Sequence, residues 1–334
     1  YRYMAEDTTF QNMIFYGNRD QMYFYLQGYS LTIGENVTMQ NYATSNTNQG
    51  LLGGNAPAFH IFCGWNQYNY STLPRKDAEV IIKSGTYGRI VGGGSPGTSS
   101  GQGQQISHDF MGSSKSDSFN ITITIDIQNS TTSNQYDYDV NLLTGGSAAG
   151  NNYSNVVQNI KNGSVGRLIG GSIGDSAYRP RNWNYPENTF LGTATINVTG
   201  GSIDELYGGC LGRNMDVVGS SYASGNTCDS YFYGTVNINI SGGRIESNIY
   251  GAGAGGVTGY SPNSSDPYKN YGQEFDTGVE INITGGTIEG DIFGGGYGYT
   301  EYLNQNVTAV DGGTLYGDST INISESPVIN GNIY

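Results

Sequence analysis

Asp204 and Glu205 are the adjacent acidic residues within a repeated segment of this chain, and paired carboxyl groups are what a glycosidase uses as acid and as base or nucleophile. That chemistry needs two or three carboxyls roughly 5–10 Å apart, here on neighbouring strands. The corresponding positions in two other repeats are Gly88-Arg89 and Gly166-Arg167, so no second carboxylate converges on the pair. Arg89 and Arg167 share one repeat slot and are the residue type a polysaccharide lyase uses, but ion pairing with a nearby Asp or Glu is the plainer role. His60 and His108 stand alone, and a lone histidine is more often structural or merely exposed than catalytic. In YDYDV, Asp137 and Asp139 could offer oxygens to calcium, without the Gly-Gly-x-Gly-x-Asp array that would mark a calcium-binding repeat. Triplets such as Gly92-Gly93-Gly94 lack the Lys-Ser/Thr and the following helix of a phosphate loop. The residues therefore assign no catalytic group, no metal and no cofactor, and the chain reads as non-enzymatic.

Asn36, Asn69, Asn120, Asn197, Asn239, Asn263, Asn282 and Asn322 fit Asn-x-Ser/Thr and are candidate glycosylation acceptors. In strands the same pattern arises whenever polar residues alternate with apolar ones, and glycans on adjacent strands would crowd within about 5 Å. The other reading is an outward asparagine column whose amides hydrogen-bond along the stack. Cys210 and Cys228 bracket one polar segment and could close it as a disulfide in an oxidising compartment, or remain two thiols. Tyr207, Tyr250, Phe293 and Tyr334 share one repeat position, which predicts a ladder of rings, either structural or sugar-binding. The better binding candidates among the 28 tyrosines are Tyr222, Tyr260, Tyr268, Tyr297, Tyr299 and Tyr302, which lie in polar segments. Tyrosine there joins apolar area to a hydroxyl at modest entropic cost.

The elements that position these residues come from an internal repeat. An apolar pair followed by glycine recurs as Ile61-Phe62, Ile90-Val91, Leu142-Leu143, Leu168-Ile169, Leu206-Tyr207, Ile249-Tyr250, Ile292-Phe293 and Ile333-Tyr334, about eight copies. The spacing runs from about 26 to about 52 residues and settles near 40 in the C-terminal half. Upstream of the clean copies lie VIIKSG, TINVTGG, VNINISGG, EINITGG and TINISES. Val236, Ile238 and Ile240 alternate with Asn237, Asn239 and Ser241, the period of a strand buried on one face. A propeller blade of this length needs four strands, whereas each copy offers two and then a variable polar segment. A chain that circles once per repeat fits better, with like residues about 4.8 Å apart and glycines at its tight corners.

These residues resemble the glycine-rich parallel β-helix repeats of prokaryotic cell-surface, adhesin-like proteins, in which [IV]-x-[IV]-[ST]-G-G-x-[IV] and [IV]-[YF]-G-G-G recur. LTIGENVTM, from Leu31 to Met39, looks like a first-coil segment of such proteins. The expected fold is all-β, a parallel β-helix (solenoid) of about seven or eight coils spanning 31–334, with residues 1–30 as an N-terminal cap or contact segment. Segments 94–118, 172–192, 210–232, 252–278 and 296–318 should emerge as long loops on one face. The repeat stops in mid-motif at Tyr334, so the expectation is that the natural chain continues or that another subunit or domain covers this end.

Composition narrows the partners. A formal charge of −14 with only 14 Lys+Arg in 334 residues leaves no basic stripe for nucleic acid or anionic lipid. No apolar run approaches the roughly 18 residues of a membrane helix, and the start without Met reads as a mature or excised piece. The expected role is a non-enzymatic extracellular, cell-surface adhesin or stalk domain, showing Tyr/Asn/Ser-rich loops to a glycan or surface protein. Two alternatives are a structural subunit of a surface filament or sheath, meeting neighbours end to end, and a carbohydrate-active β-helix enzyme, either lyase or glycoside hydrolase.

Overall fold

The computed structural model of the chain describes residues 2–17, 22–41, 59–64, 77–94, 120–129, 138–147, 152, 154–173, 188–211, 230–254, 257–259, 278–297, 300–303, 306–309 and 315–334. The described residues are all-β, with no helix among them. Nineteen strands belong to one connected sheet, and every pairing within it is parallel. A four-stranded parallel set joins Asn188–Phe190, Ser230–Phe232, Val257–Gly259 and Leu315–Tyr316. Among the described strands the antiparallel pair is Thr300–Leu303 with Asn306–Ala309.

Within the large sheet, register is kept from repeat to repeat. The strand Thr235–Ile245 pairs with Gly278–Ile288, and that strand with Asp318–Ile323, so Ile238, Ile281 and Ile321 form one row and Ile240, Ile283 and Ile323 the next. Upstream the first row continues through Ile196, Gln158, Ile123 and Val80. A second series of strands carries Ile61, Ile90, Leu143, Leu168, Leu206, Ile249 and Ile292 in register. Apart from Gln158 and from Ile323, which is exposed, these residues form or pack against one apolar core. Each fully buried isoleucine contributes about 1.5–3 kcal/mol, and a one-residue slip would turn the whole set outward, so the alternation itself pins the register.

Glycine is required where neighbouring strands approach most closely. Gly92, Gly145, Gly170, Gly208 and Gly251 occupy one row, and a Cβ on any of them would run into the carbonyl oxygen of the next glycine in that row. A different need governs Gly163, Gly201, Gly243 and Gly286, whose φ values lie between +71° and +95°, a backbone that β-carbons oppose. The parallel pairing also reaches into residues 1–30, expected above to be a cap: Arg2–Tyr3 pairs with Met22–Tyr25, and Thr8–Phe10 with Leu31–Ile33. Residue 31 therefore does not mark a break in the sheet.

Candidate functional site

Two homotypic rows face away from the main core. The first is aromatic. Tyr207 stacks on Tyr250 with centroids 5.2 Å apart, Tyr250 on Phe293 at 5.0 Å and Phe293 on Tyr334 at 4.9 Å, with interplanar angles of 7–8°. Parallel register places one ring per strand, and rings of this size fill that spacing face to face. Each interior ring thus spends both faces on its neighbours and has only edges left for a ligand. A similar stack, Tyr3 on Tyr25 and Tyr25 on Phe62, occupies the N-terminal strands. Between the two stacks the same register holds Val91, Thr144 and Ile169. Several of these residues join Leu142, Ile173 and Leu211 in a second apolar cluster, separate from the main core. Burial first, and Glu205 beside it second, raise the Tyr207 phenol above its ordinary range. Burial likewise raises that of Tyr250, against a hydrogen bond from Asn248 Nδ2 at 2.9 Å. Tyr297 meets Tyr250 edge-on at 5.3 Å and is 40% exposed.

The second row is made of amides. Asn159 Nδ2 donates to Thr124 Oγ1 at 3.3 Å, Asn197 to Asn159 Oδ1 at 2.9 Å, Asn239 to Asn197 at 2.9 Å, Asn282 to Asn239 at 3.1 Å and Asn322 to Asn282 at 2.8 Å. Five carboxamides thus run head to tail across the strands. In Asn197, Asn239, Asn282 and Asn322, the nitrogen a glycan would take is the donor that links one strand to the previous one. Asn36, at φ +57°, donates to Asn12 Oδ1 at 3.0 Å, and exposed Asn120 bonds the Asp77 carboxylate through Nδ2 and its backbone N–H.

The residues first considered for catalysis are engaged in local structure. Arg167 Nε meets Glu205 Oε2 at 2.7 Å, and Asp204 accepts a hydrogen bond from the Tyr138 hydroxyl at 2.8 Å. Arg89 and Arg167 do share a slot, with Leu142 between them. The carboxylate of Asp139 is fully buried and accepts both the backbone N–H and the hydroxyl of Ser164, at 2.8 and 2.9 Å. His60 is buried against Tyr23, ring centroids 5.1 Å apart, and neither ring nitrogen has a hydrogen-bond partner among the described residues. Burial, assisted by the Arg89 charge, lowers its pKa to about 3, so the ring is neutral near pH 7. Among the described residues no group of three or more His, Cys, Asp or Glu gathers as a metal site.

Cys210 is buried with its thiol pushed up to about 12 by desolvation, which makes it inert toward most reagents. Cys228 lies outside the described residues, as do Tyr222, Tyr260, Tyr268, Tyr299, Asn69, Asn263, His108 and Asp137. Tyr302 sits in Thr300–Leu303, opposite Val307. The amide row includes Asn159 and Thr124, which a search for Asn-x-Ser/Thr overlooks. Aligning VVQNIKN with TINVTGG by strand alternation would have found the asparagine. Comparison with protein-family models, curated proteins and solved structures returns no match.

Proposed function

We propose that the parallel rows are the walls of a parallel β-helix of about seven or eight coils, and that the chain is a non-enzymatic extracellular surface protein of the adhesin or stalk type. The observation that carries this reading is the glycine row. Segments 94–118, 172–192, 210–232, 252–278 and 296–318 follow closely on Gly92, Gly170, Gly208, Gly251 and Gly294, members of one register. Their expected loop bounds are too wide, however: Asn188–Phe190, Ser230–Phe232, Val257–Gly259 and Leu315–Tyr316 pair in parallel, with Phe190 and Phe232 in the core. Excursions that start along one line build one continuous recognition face on a rigid scaffold. The non-enzymatic part is supported by Asp139, Asp204 and Glu205, whose carboxylates are bonded to Ser164, Tyr138 and Arg167.

The partner is a glycan or a surface protein met by the Tyr-rich inserts. The test is a glycan and surface-protein array probed with the wild-type chain and with a Tyr260→Ser/Tyr268→Ser variant. The expected result is a defined set of bound partners, lost in the variant at unchanged melting temperature. Release of new reducing ends or unsaturated products from a polysaccharide panel would replace this reading with the enzymatic one.

A further inference from the structure

We propose that the sheet face carrying the amide row binds a neutral, unbranched polysaccharide with equatorial linkages, laid across the strands along the row. This rests on the reading of the chain as a glycan-facing surface protein, and it moves contact from the inserts to the scaffold itself. Each amide of Asn159, Asn197, Asn239 and Asn282 spends one N–H and one carbonyl lone pair within the row. A carboxamide has two of each, so every strand keeps one donor and one acceptor in a fixed, half-buried position. The row is already ordered by its own bonds, so a ligand would not have to immobilise these side chains.

Charge selects the occupant. Beside the amides, the next outward row runs Thr195, Asn237, Glu280 and Thr320, with Glu280 its one charge among those four. The ion pairs of the neighbouring strands, Arg167 with Glu205 and Arg244 with Glu246 and Glu289, lie on other rows. Followed upstream, the same row passes Val157 and Thr122 to Glu79, so its charges are carboxylates, Glu79 and Glu280. On a chain of net charge −14 they oppose an anionic polymer and leave a neutral one unopposed. Spacing selects its shape. Donors repeating every strand, about 4.8 Å, match a polymer whose rings advance about one strand spacing each, as equatorially linked pyranoses do. Contact is by hydrogen bonds, since the aromatic row has spent its ring faces on itself.

The experiment is co-sedimentation with microcrystalline cellulose and with chitin, beside an anionic pectate gel. Wild type is compared with Thr195→Lys/Asn237→Glu, whose facing opposite charges fill the strip beside the amide row, as Glu280 already does where it accepts from Asn322 Nδ2 at 3.4 Å, and with Tyr260→Ser/Tyr268→Ser. The proposal expects retention on at least one neutral polymer and little on pectate, a tenfold or greater loss in the charged-pair variant, and full retention in the tyrosine variant. As a check independent of mutant folding, hydrogen exchange of the wild type with soluble hydroxyethylcellulose should slow at 194–198 and 235–240. Retention unchanged by the charged pair, or slowed exchange confined to the inserts, overturns the proposal. Failure on both neutral polymers while the array partners still bind through the tyrosines overturns it and leaves the broader reading standing; failure of both removes both.

Discussion

The aromatic row and the amide row are built by the same device, one residue type returned to one register position on successive parallel strands, yet they leave very different surfaces. Tyr207 and Tyr250 are 3% and 8% exposed and pack into the second apolar cluster. Asn197, Asn239 and Asn282 are half-buried and keep part of their hydrogen-bonding capacity. Rings stacked face to face hide what a ligand would use. Amides chained head to tail do not. Stability is therefore concentrated in the first row and recognition in the second.

The largest effect that could break this contrast is Tyr250→Ala, which removes two stacked ring contacts and the edge contact with Tyr297 and opens a cavity. Thermal or denaturant unfolding should show a loss of about 3–5 kcal/mol, while Tyr250→Phe, which gives up only the Asn248 bond, should lose about 1 kcal/mol. Next comes acid. The folded-state pKa of His60, about 3, lies below the ordinary value of 6.5. The unfolded chain thus takes up its proton first as pH falls below 6.5, so stability is full above that pH and declines toward pH 3. From pH 7.5 to pH 5 the His60 contribution is a loss of about 2 kcal/mol, and unfolding of His60→Phe should lack that part of the pH slope.

Asn239→Ala deletes one donor and one acceptor of the amide row and should lower stability by about 1–2 kcal/mol. A cost equal to that of Tyr250→Ala would erase the distinction between the rows. The smallest effect has the opposite sign. Gln158 stands in the isoleucine row, fully buried, with Nε2 donating to Ile169 O at 3.1 Å and Oε1 without a partner among the described residues. Gln158→Leu should raise the melting temperature, by about 1 kcal/mol of stability.

Much of this was legible in the residues because the repeat obeys two strong local rules. Strand alternation places Val236, Ile238 and Ile240 inside, and the recurring pair before glycine predicts the Tyr207–Tyr250–Phe293–Tyr334 stack. What escaped is where the repeat is broken. Gln158 occupies an apolar slot, the pair read as Leu142-Leu143 is Leu143-Thr144 by register, with Leu142 in the arginine slot, and Tyr23 covers His60. In each case the register is set by neighbouring strands rather than by the residue's own type. Strands before residue 31 were not read either: RY and TTF carry too few alternations to signal pairing, and MIFYG and MYFY are nearly all apolar or aromatic and show no alternation.

The central claim is that residues from successive repeats stand in one parallel row at one strand spacing. Spin labels at Thr122 and Thr320, and separately at Thr122 and Glu280, test it by double electron–electron resonance. These positions share a row with Val157, Thr195 and Asn237 between them. The account predicts narrow backbone separations of about 24 Å and 19 Å, five and four strand spacings. Broad distributions, or two distances that do not differ by about one strand spacing, would contradict it.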